Sequence, residues 1–344
     1  MKAQVLTGIG QMEMREVVKP AVVNDDDILL KIEVVGVCGS DVHYYETGKI
    51  GSQVVEYPYI VGHECTATVE AIGSGVTKLK AGDEVVVDPA VSCMECSQCK
   101  AGRENTCEKL LFLGTPGQGN GCLCEYIVMP ERSCYPTGGK ITLDQGVLCE
   151  PFSIGIYAVK QSVIGAGAKG AILGAGPIGL SCLAAARAAG VKKIYMTDKI
   201  PRRVQIAKEA GACWSANPLD ENIVEAIGSL EPSGVDVVYE CAGEQETLDE
   251  AVEILAPGGV LMLIGIPRVD RVSFAIGKIR RKEITIINVR RQNGCTQEAI
   301  DLIAQKKVDL DFMITHNFNF ADSKEAFDVA AEYRDGVVKA MIQM

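Results

Sequence analysis

Residues 171–180 read Ala-Ile-Leu-Gly-Ala-Gly-Pro-Ile-Gly-Leu, an apolar run that stops at glycines and restarts as a helix. Three glycines fall at G-x-G-x-x-G spacing: Gly174 permits a tight turn out of a strand, Gly176 leaves the backbone bare for a pyrophosphate, and Gly179 lets the helix pack closely. With Pro177 and Ile178 opening that helix, its free amides and dipole favour a diphosphate. Glycines at this spacing also mark ordinary turns, so the surroundings decide. The helix continues alanine-rich to Ala189, Gly190 closes it, and Lys193–Thr197 gives a second strand ending at Asp198, 19 residues beyond Gly179. An acid there is placed for the ribose hydroxyls of an NAD-type cofactor and would repel a 2'-phosphate, which favours NAD over NADP. Arg202 and Arg203 lie close enough to weaken that preference, and Arg203 joins the candidate cofactor contacts.

Outward from this motif, strands are expected at 170–173, 194–197, 235–239, 260–264 and 284–289. Helices are expected at 202–210, 222–229 and 247–255, the last stopped by Pro257, Gly258 and Gly259. Such alternation implies a parallel sheet with helices on both faces. The preceding residues are β-rich, with strands at 28–37, 67–72 and 84–87 between Gly, Pro and Asp turns and few helical periods before Asp144. After Val289 come helices at 297–305 and 323–333 and a strand at 337–342. The expected division is a first lobe over 1–152 with a C-terminal return over 290–344, and a doubly wound α/β domain over 153–289.

A chain of 344 residues suits two domains with sizeable cores. No run is long and apolar enough to cross a membrane, and the N-terminus lacks the layout of a signal peptide, so a cytoplasmic location is expected. The formal charge of −11 argues against nucleic acid or anionic lipid as a partner. In a reducing compartment the fourteen cysteines are expected as metal ligands or buried thiols rather than disulfides.

Cys93, Cys96, Cys99 and Cys107 are spaced C-x2-C-x2-C-x7-C in a loop without a long apolar run. Four thiolates at such intervals close a tetrahedral zinc site that fixes a loop with little core of its own. Such a site is saturated and therefore structural. A second set is dispersed: Cys38 in GVCGSD, His63 and Glu64 in GHE, Glu150 in CEP. Mixed sulfur, nitrogen and oxygen donors suit a catalytic zinc that keeps a position open. Spacing alone does not join them: a lone His63 also reads as a structural histidine, and Cys38 after an apolar strand as core.

VGVCGSDVHYY (35–45), PYIVGHE (58–64), the four-cysteine loop, CEPFSIG (149–155) and GAGPIGL (174–180), in this order, resemble the zinc-dependent medium-chain alcohol dehydrogenases. The resemblance covers essentially the whole chain and is greatest with the polyol branch, the sorbitol (L-iditol) and xylitol dehydrogenases. It implies a GroES-like β-rich catalytic domain, a Rossmann NAD-binding domain, two zinc ions per chain, an active site in the cleft between lobes and a homo-oligomer, dimer or tetramer. Cys38, His63 and Glu64 match the catalytic zinc ligands of that branch. Glu150 matches the acid that meets zinc directly or through water, with its neighbour Cys149 the weaker match. Ser40 matches the hydroxyl that passes the alcohol proton outward, and Tyr44, Phe112 and Thr115 match positions lining the substrate pocket. Polyol dehydrogenases commonly carry an Arg-Tyr pair where this chain has Arg290 and Arg291. Arg290 keeps the role of hydroxyl donor, while Arg291 has three readings: a phosphate contact, a partner for an acid, or a surface residue.

The expected reaction is oxidation of a secondary hydroxyl of a polyol, with zinc as Lewis acid and hydride passing to NAD. Two alternatives stay open: a dehydrogenase for a phosphorylated polyol or small vicinal diol, and a non-catalytic NAD(H)-binding protein of the same fold.

Overall fold

The computed structural model describes residues 1–344, which cluster into two compact units. The first comprises Met1–Glu150, Thr296–Lys306 and Ile314–Met344, the second Pro151–Cys295 and Lys307–Met313. Residues 290–295 and 307–313, given to the C-terminal return on sequence, thus cluster with the second unit.

The first unit is built on a seven-stranded sheet whose central strand is Asp27–Gly36. Glu64–Ile72 and Lys339–Gln343 flank it antiparallel, and Glu84–Val87, Cys134–Pro136, Tyr126–Pro130 and Ile314–Asn319 complete the sheet. The central strand alternates Ile28, Leu30 and Ile32 into a core shared with Leu6, Val61, Leu123 and Phe327. At its end Gly36 stands opposite Glu64 on one side and Met341 on the other. That register brings three separate motifs to the rim of one sheet. Glu64–Ile72 begins three residues before the sequence pattern suggests, so Glu64 is anchored in the ladder.

Two helices in this region depart from the expected pattern. Gly39–Thr47 forms directly after Cys38, although its composition is too mixed to show one apolar stripe. Leu143–Ser162, absent from the expected helices, runs through Pro151 and past the end of this unit at Glu150.

The second unit carries six parallel strands in the spatial order Trp214–Ala216, Lys193–Thr197, Lys169–Leu173, Val235–Glu240, Leu255–Leu263, Thr285–Asn288. This is the 3-2-1-4-5-6 order of a doubly wound dinucleotide-binding sheet, reversing between Lys169–Leu173 and Val235–Glu240. Helices Pro177–Ala188, Pro201–Glu209, Ile223–Leu230 and Gln245–Ile254 separate the strands, and the Asn222 side chain caps the third by accepting from the Val224 and Glu225 amides. Pro257–Gly259 does not act as the expected stop. The strand starts at Leu255 immediately after the helix, and the extra residues are absorbed as an irregularity against Val235–Val237, with Gly258 at a φ of +78°. No helix of the chain is long and apolar enough to cross a membrane.

Candidate active site and metal centres

In the first unit Cys38, His63 and Glu64 offer ligand atoms that all lie within 4.8 Å of one another. Tetrahedral zinc with bonds of about 2.0–2.3 Å needs ligand atoms about 3.3–3.8 Å apart, so a cation fits among them with small adjustments. Cys38 is the extended residue before helix Gly39–Thr47, Glu64 starts its strand, and His63 immediately precedes it. Gly36 makes room: a Cβ there would stand 2.5 Å from Glu64 Oε2 and 2.7 Å from Val147 Cγ1.

Two neighbours that sequence reasoning missed hold this trio. Asp41 is fully buried; its Oδ1 accepts the Gly62 amide at 3.2 Å, and its Oδ2 lies 3.3 Å from His63 Nδ1 with no hydrogen-bond partner of its own. An Nδ1–H donated to this oxygen would leave Nε2 for a metal, the usual carboxylate–histidine–metal arrangement. Lys339, 1 % exposed, donates to Glu64 Oε2 at 2.5 Å and to the Val37 carbonyl at 3.1 Å. Its signal was legible: a lysine inside the apolar run Val337–Ile342 is buried only with a partner.

The electrostatics favour positive charge. Burial opposes an imidazolium at His63, yet Asp41 and Cys38 outweigh it and hold its pKa well above the ordinary value. Burial likewise opposes a charged Lys339, and Glu64, Cys38 and Glu150 reverse the effect. The anionic groups that raise both values, Asp41, Cys38 and Glu64 among them, are the ones a bound cation would meet. Glu150, on helix Leu143–Ser162, lies outside the compact trio. Burial pushes its carboxyl up to about 7, His63 and Lys339 pull it down and Glu64 and Asp88 push it up.

Ser40 donates its hydroxyl to Cys38 Sγ at 3.4 Å. Phe112 packs its ring on His63 with centroids 5.3 Å apart. Thr115 is buried three residues on, and the buried Tyr44 donates to Gln53 Oε1 at 3.0 Å. Gln53 had no signal in the sequence.

The four-cysteine loop brings its sulfurs together. Cys96–Cys99, Cys96–Cys107 and Cys93–Cys99 lie 3.5, 3.9 and 4.0 Å apart. These separations bracket the roughly 3.8 Å edge of a tetrahedron with 2.3 Å bonds to sulfur, and all fourteen cysteines are free thiols. The Cys99 and Glu108 amides hold the Cys96 thiol down to about 6, while burial and the adjacent thiols push Cys99 up to about 12. The Cys93 and Lys109 amides donate to Cys107 Sγ.

In the second unit Gly174 has a φ of +105°, which only glycine adopts without strain, and Gly176 is the extended residue before helix Pro177–Ala188. A Cβ on Gly179 would lie 1.9 Å from the Gly174 carbonyl oxygen, so this glycine lets the helix close on its own turn, with Met196 of the sheet next at 3.1 Å. Ile178 is half-buried. Asp198 already holds a proton donor on each oxygen, the Ala175 amide on Oδ2 at 2.7 Å and the Ile200 amide on Oδ1 at 2.8 Å. It therefore braces the glycine turn, and ribose hydroxyls would use its remaining lone pairs. The buried Arg203 brings Nη1 within 3.5 Å of where a Gly176 Cβ would stand. A bare turn with an adjacent acid and guanidinium fits a dinucleotide. Arg290 is exposed and Arg291 half-buried, with a left-handed φ of +55° that is costly for a long side chain.

Family comparison agrees with both units. Residues 24–139 match the alcohol dehydrogenase GroES-like domain, and residues 177–305 match the zinc-binding dehydrogenase domain. The chain belongs to the zinc-binding alcohol dehydrogenase family. This dehydrogenase is 34 % identical over 343 residues to a sorbitol dehydrogenase of Bacillus subtilis, covering 99 % of this chain and 97 % of the relative. It is 36 % identical over 329 residues to a probable D-xylulose reductase of Aspergillus clavatus, covering 94 % and 91 %. Among solved structures it superposes with a TM-score of 0.94 on an Escherichia coli oxidoreductase/dehydrogenase of unknown specificity, 32 % identical, covering 99 % and 98 % of the two chains.

Proposed function

We propose that this dehydrogenase oxidises a secondary hydroxyl of a polyol to the ketose and passes the hydride to NAD. The observation that carries the reading is the mixed sulfur, nitrogen and oxygen trio of Cys38, His63 and Glu64 within 4.8 Å, in a pocket that favours positive charge. A zinc ion held there supplies the Lewis acidity that makes a secondary alcohol acidic near neutral pH, and NAD supplies the hydride acceptor.

The remaining roles fall to this chain's own residues. Asp41 fixes the His63 ring so that Nε2 faces the metal, and Lys339 holds one Glu64 oxygen so that the other is free. The Ser40 hydroxyl, now donating to Cys38 Sγ, is the group assigned to relay the alcohol proton. Phe112 and Thr115 line one side of the reacting carbon, and Tyr44 reads a more distant hydroxyl. Glu150, outside the trio, acts through water or on a substrate hydroxyl. Cys93, Cys96, Cys99 and Cys107 hold a second, structural zinc. Gly174, Gly176, Pro177, Ile178 and Gly179 cradle the NAD diphosphate, with Asp198 and Arg203 on the adenosine ribose. Arg290 donates to a substrate hydroxyl, and Arg291 is the contact that a phosphorylated substrate would add.

The test is NADH formation over matched polyols with and without a terminal phosphate. Turnover of the free polyols supports the proposal. A strong preference for the phosphorylated forms would transfer the assignment to a polyol phosphate read by both arginines, and no turnover of any would favour the non-catalytic reading. The proposal includes a cytoplasmic homo-oligomer, whose mass is read by light scattering.

A further inference from the structure

Glu240 ends strand Val235–Glu240 and is 2 % exposed. A single oxygen, Oε1, accepts three hydrogen bonds: from the Ala242 amide at 2.8 Å, the Gly243 amide at 2.7 Å and the Thr247 hydroxyl at 2.8 Å. All three donors are neutral. Burial holds its carboxyl above the ordinary value, the three hydrogen bonds pull it down, and the like charge of Glu244 pushes it up. Its second oxygen faces Gly265, where a Cβ would lie 2.8 Å away. Three backbone segments close around this carboxylate: Gly174 stands against the Cys241–Ala242 peptide, and Gly243 packs on Ile266 and Gly265. This is costly as mere scaffolding, because a neutral glutamine would accept the same bonds without burying a charge.

The location suggests what the charge does. In a doubly wound sheet the ligand lies outside the carboxyl ends of the strands at the point of order reversal, here between Leu173 and Glu240. Asp198, at the end of the neighbouring strand Lys193–Thr197, marks the adenosine side. The strands beyond the reversal, beginning with Glu240, therefore carry the nicotinamide side. The oxidised nicotinamide ring is a cation and the reduced ring is neutral, so a fixed carboxylate in a low-dielectric crevice discriminates between them.

We propose that Glu240 is a positioning and redox-selecting residue whose buried carboxylate favours oxidised over reduced nicotinamide cofactor, so that this dehydrogenase holds NAD+ more tightly and releases NADH more readily. This rests on the reading of the second unit as an NAD site. Its mechanism is electrostatic, with no covalent step. The three neutral donors oppose the upward push of burial on this carboxyl and do so without cancelling its charge.

The test measures the dissociation constants of NAD+ and NADH for the wild type, Glu240→Gln and Glu240→Asp by calorimetry and NADH fluorescence, without substrate. Glutamine keeps the acceptor and removes the charge. The ratio of the NAD+ to the NADH dissociation constant should rise by about threefold or more in Glu240→Gln and stay near the wild-type ratio in Glu240→Asp. Should Glu240→Gln not fold, Glu240→Thr, neutral and suited to a strand end, carries the same expectation. Equal weakening of both forms would leave Glu240 a scaffold residue and overturn the inference while the NAD reading stands. A wild type that binds neither form would overturn both.

Discussion

Replacing Lys339 by methionine asks whether Glu64 is shared between a lysine and a metal. The ion pair is 2.5 Å long with both side chains 1 % exposed, and Lys339 also donates to the Val37 carbonyl. Methionine fills the volume of the stem but leaves a carboxylate buried without its counter-ion. Breaking such a pair from one side costs about 3–5 kcal/mol. With zinc bound, the cation takes over the Glu64 charge, and the remaining loss is the unsatisfied Val37 carbonyl, about 1–2 kcal/mol. The thermodynamic cycle then requires the variant to bind catalytic zinc more tightly by the difference, about 2 kcal/mol or roughly thirtyfold. Removing a buried cation thus strengthens metal binding because it removes a competitor. Urea unfolding of wild type and Lys339→Met in chelator and in excess zinc, with zinc titration against a competing chelator, measures each leg. Equal destabilisation in both states, with unchanged zinc affinity, would refute the sharing of Glu64.

The other predictions concern the second unit. Glu231 is buried, and hydrogen bonds from Lys169, Lys193 and Tyr195 hold its carboxyl down to about 2. Because the folded value lies below the ordinary one of 4.5, its contribution is full above pH about 4.5 and is lost as pH falls toward about 2. Glu231→Gln should cost about 1–3 kcal/mol at neutral pH, discounted for the two partly exposed lysines, and flatten the acid limb of a stability profile; a parallel limb would count against it. Asp198→Ala should narrow or reverse the preference for NAD over NADP in kcat/KM, and it should also raise the KM for both cofactors because the Ala175 amide loses its brace. An unchanged ratio would hand cofactor choice to Arg202 and Arg203. Gly179→Ala, with its Cβ 1.9 Å from the Gly174 oxygen, should weaken binding of both cofactor forms together by tenfold or more, about 1.4 kcal/mol, and equilibrium dialysis would expose any tolerance.

Where one local pattern sufficed, the sequence was readable. The strand–turn–helix at 169–188 needed only its glycine spacing and apolar runs, and the 3.6-residue periods of the later helices gave most of the parallel sheet. The strand Trp214–Ala216 was missed because three residues carry no period. Pro257–Gly259 misled because residues that end helices also form strand irregularities. At the metal centre the residue types were legible and their convergence was not. Cys38, His63 and Glu64 meet because Gly36 pairs with Glu64 and Val37 receives Lys339, contacts between segments up to 302 residues apart. Asp41 stood in plain view within GVCGSD, but only its burial beside His63 gives it a role.

One zinc is expected on four cysteines and a second on a single cysteine with nitrogen and oxygen donors. Zinc X-ray absorption on the active protein, with metal content measured on the same sample, tests it most directly. The expected result is two zinc ions per chain and an average of about 2.5 sulfurs per zinc, from four and one over two sites, with sulfur near 2.3 Å and lighter donors near 2.0–2.1 Å. One zinc per active chain with four sulfur neighbours would contradict it.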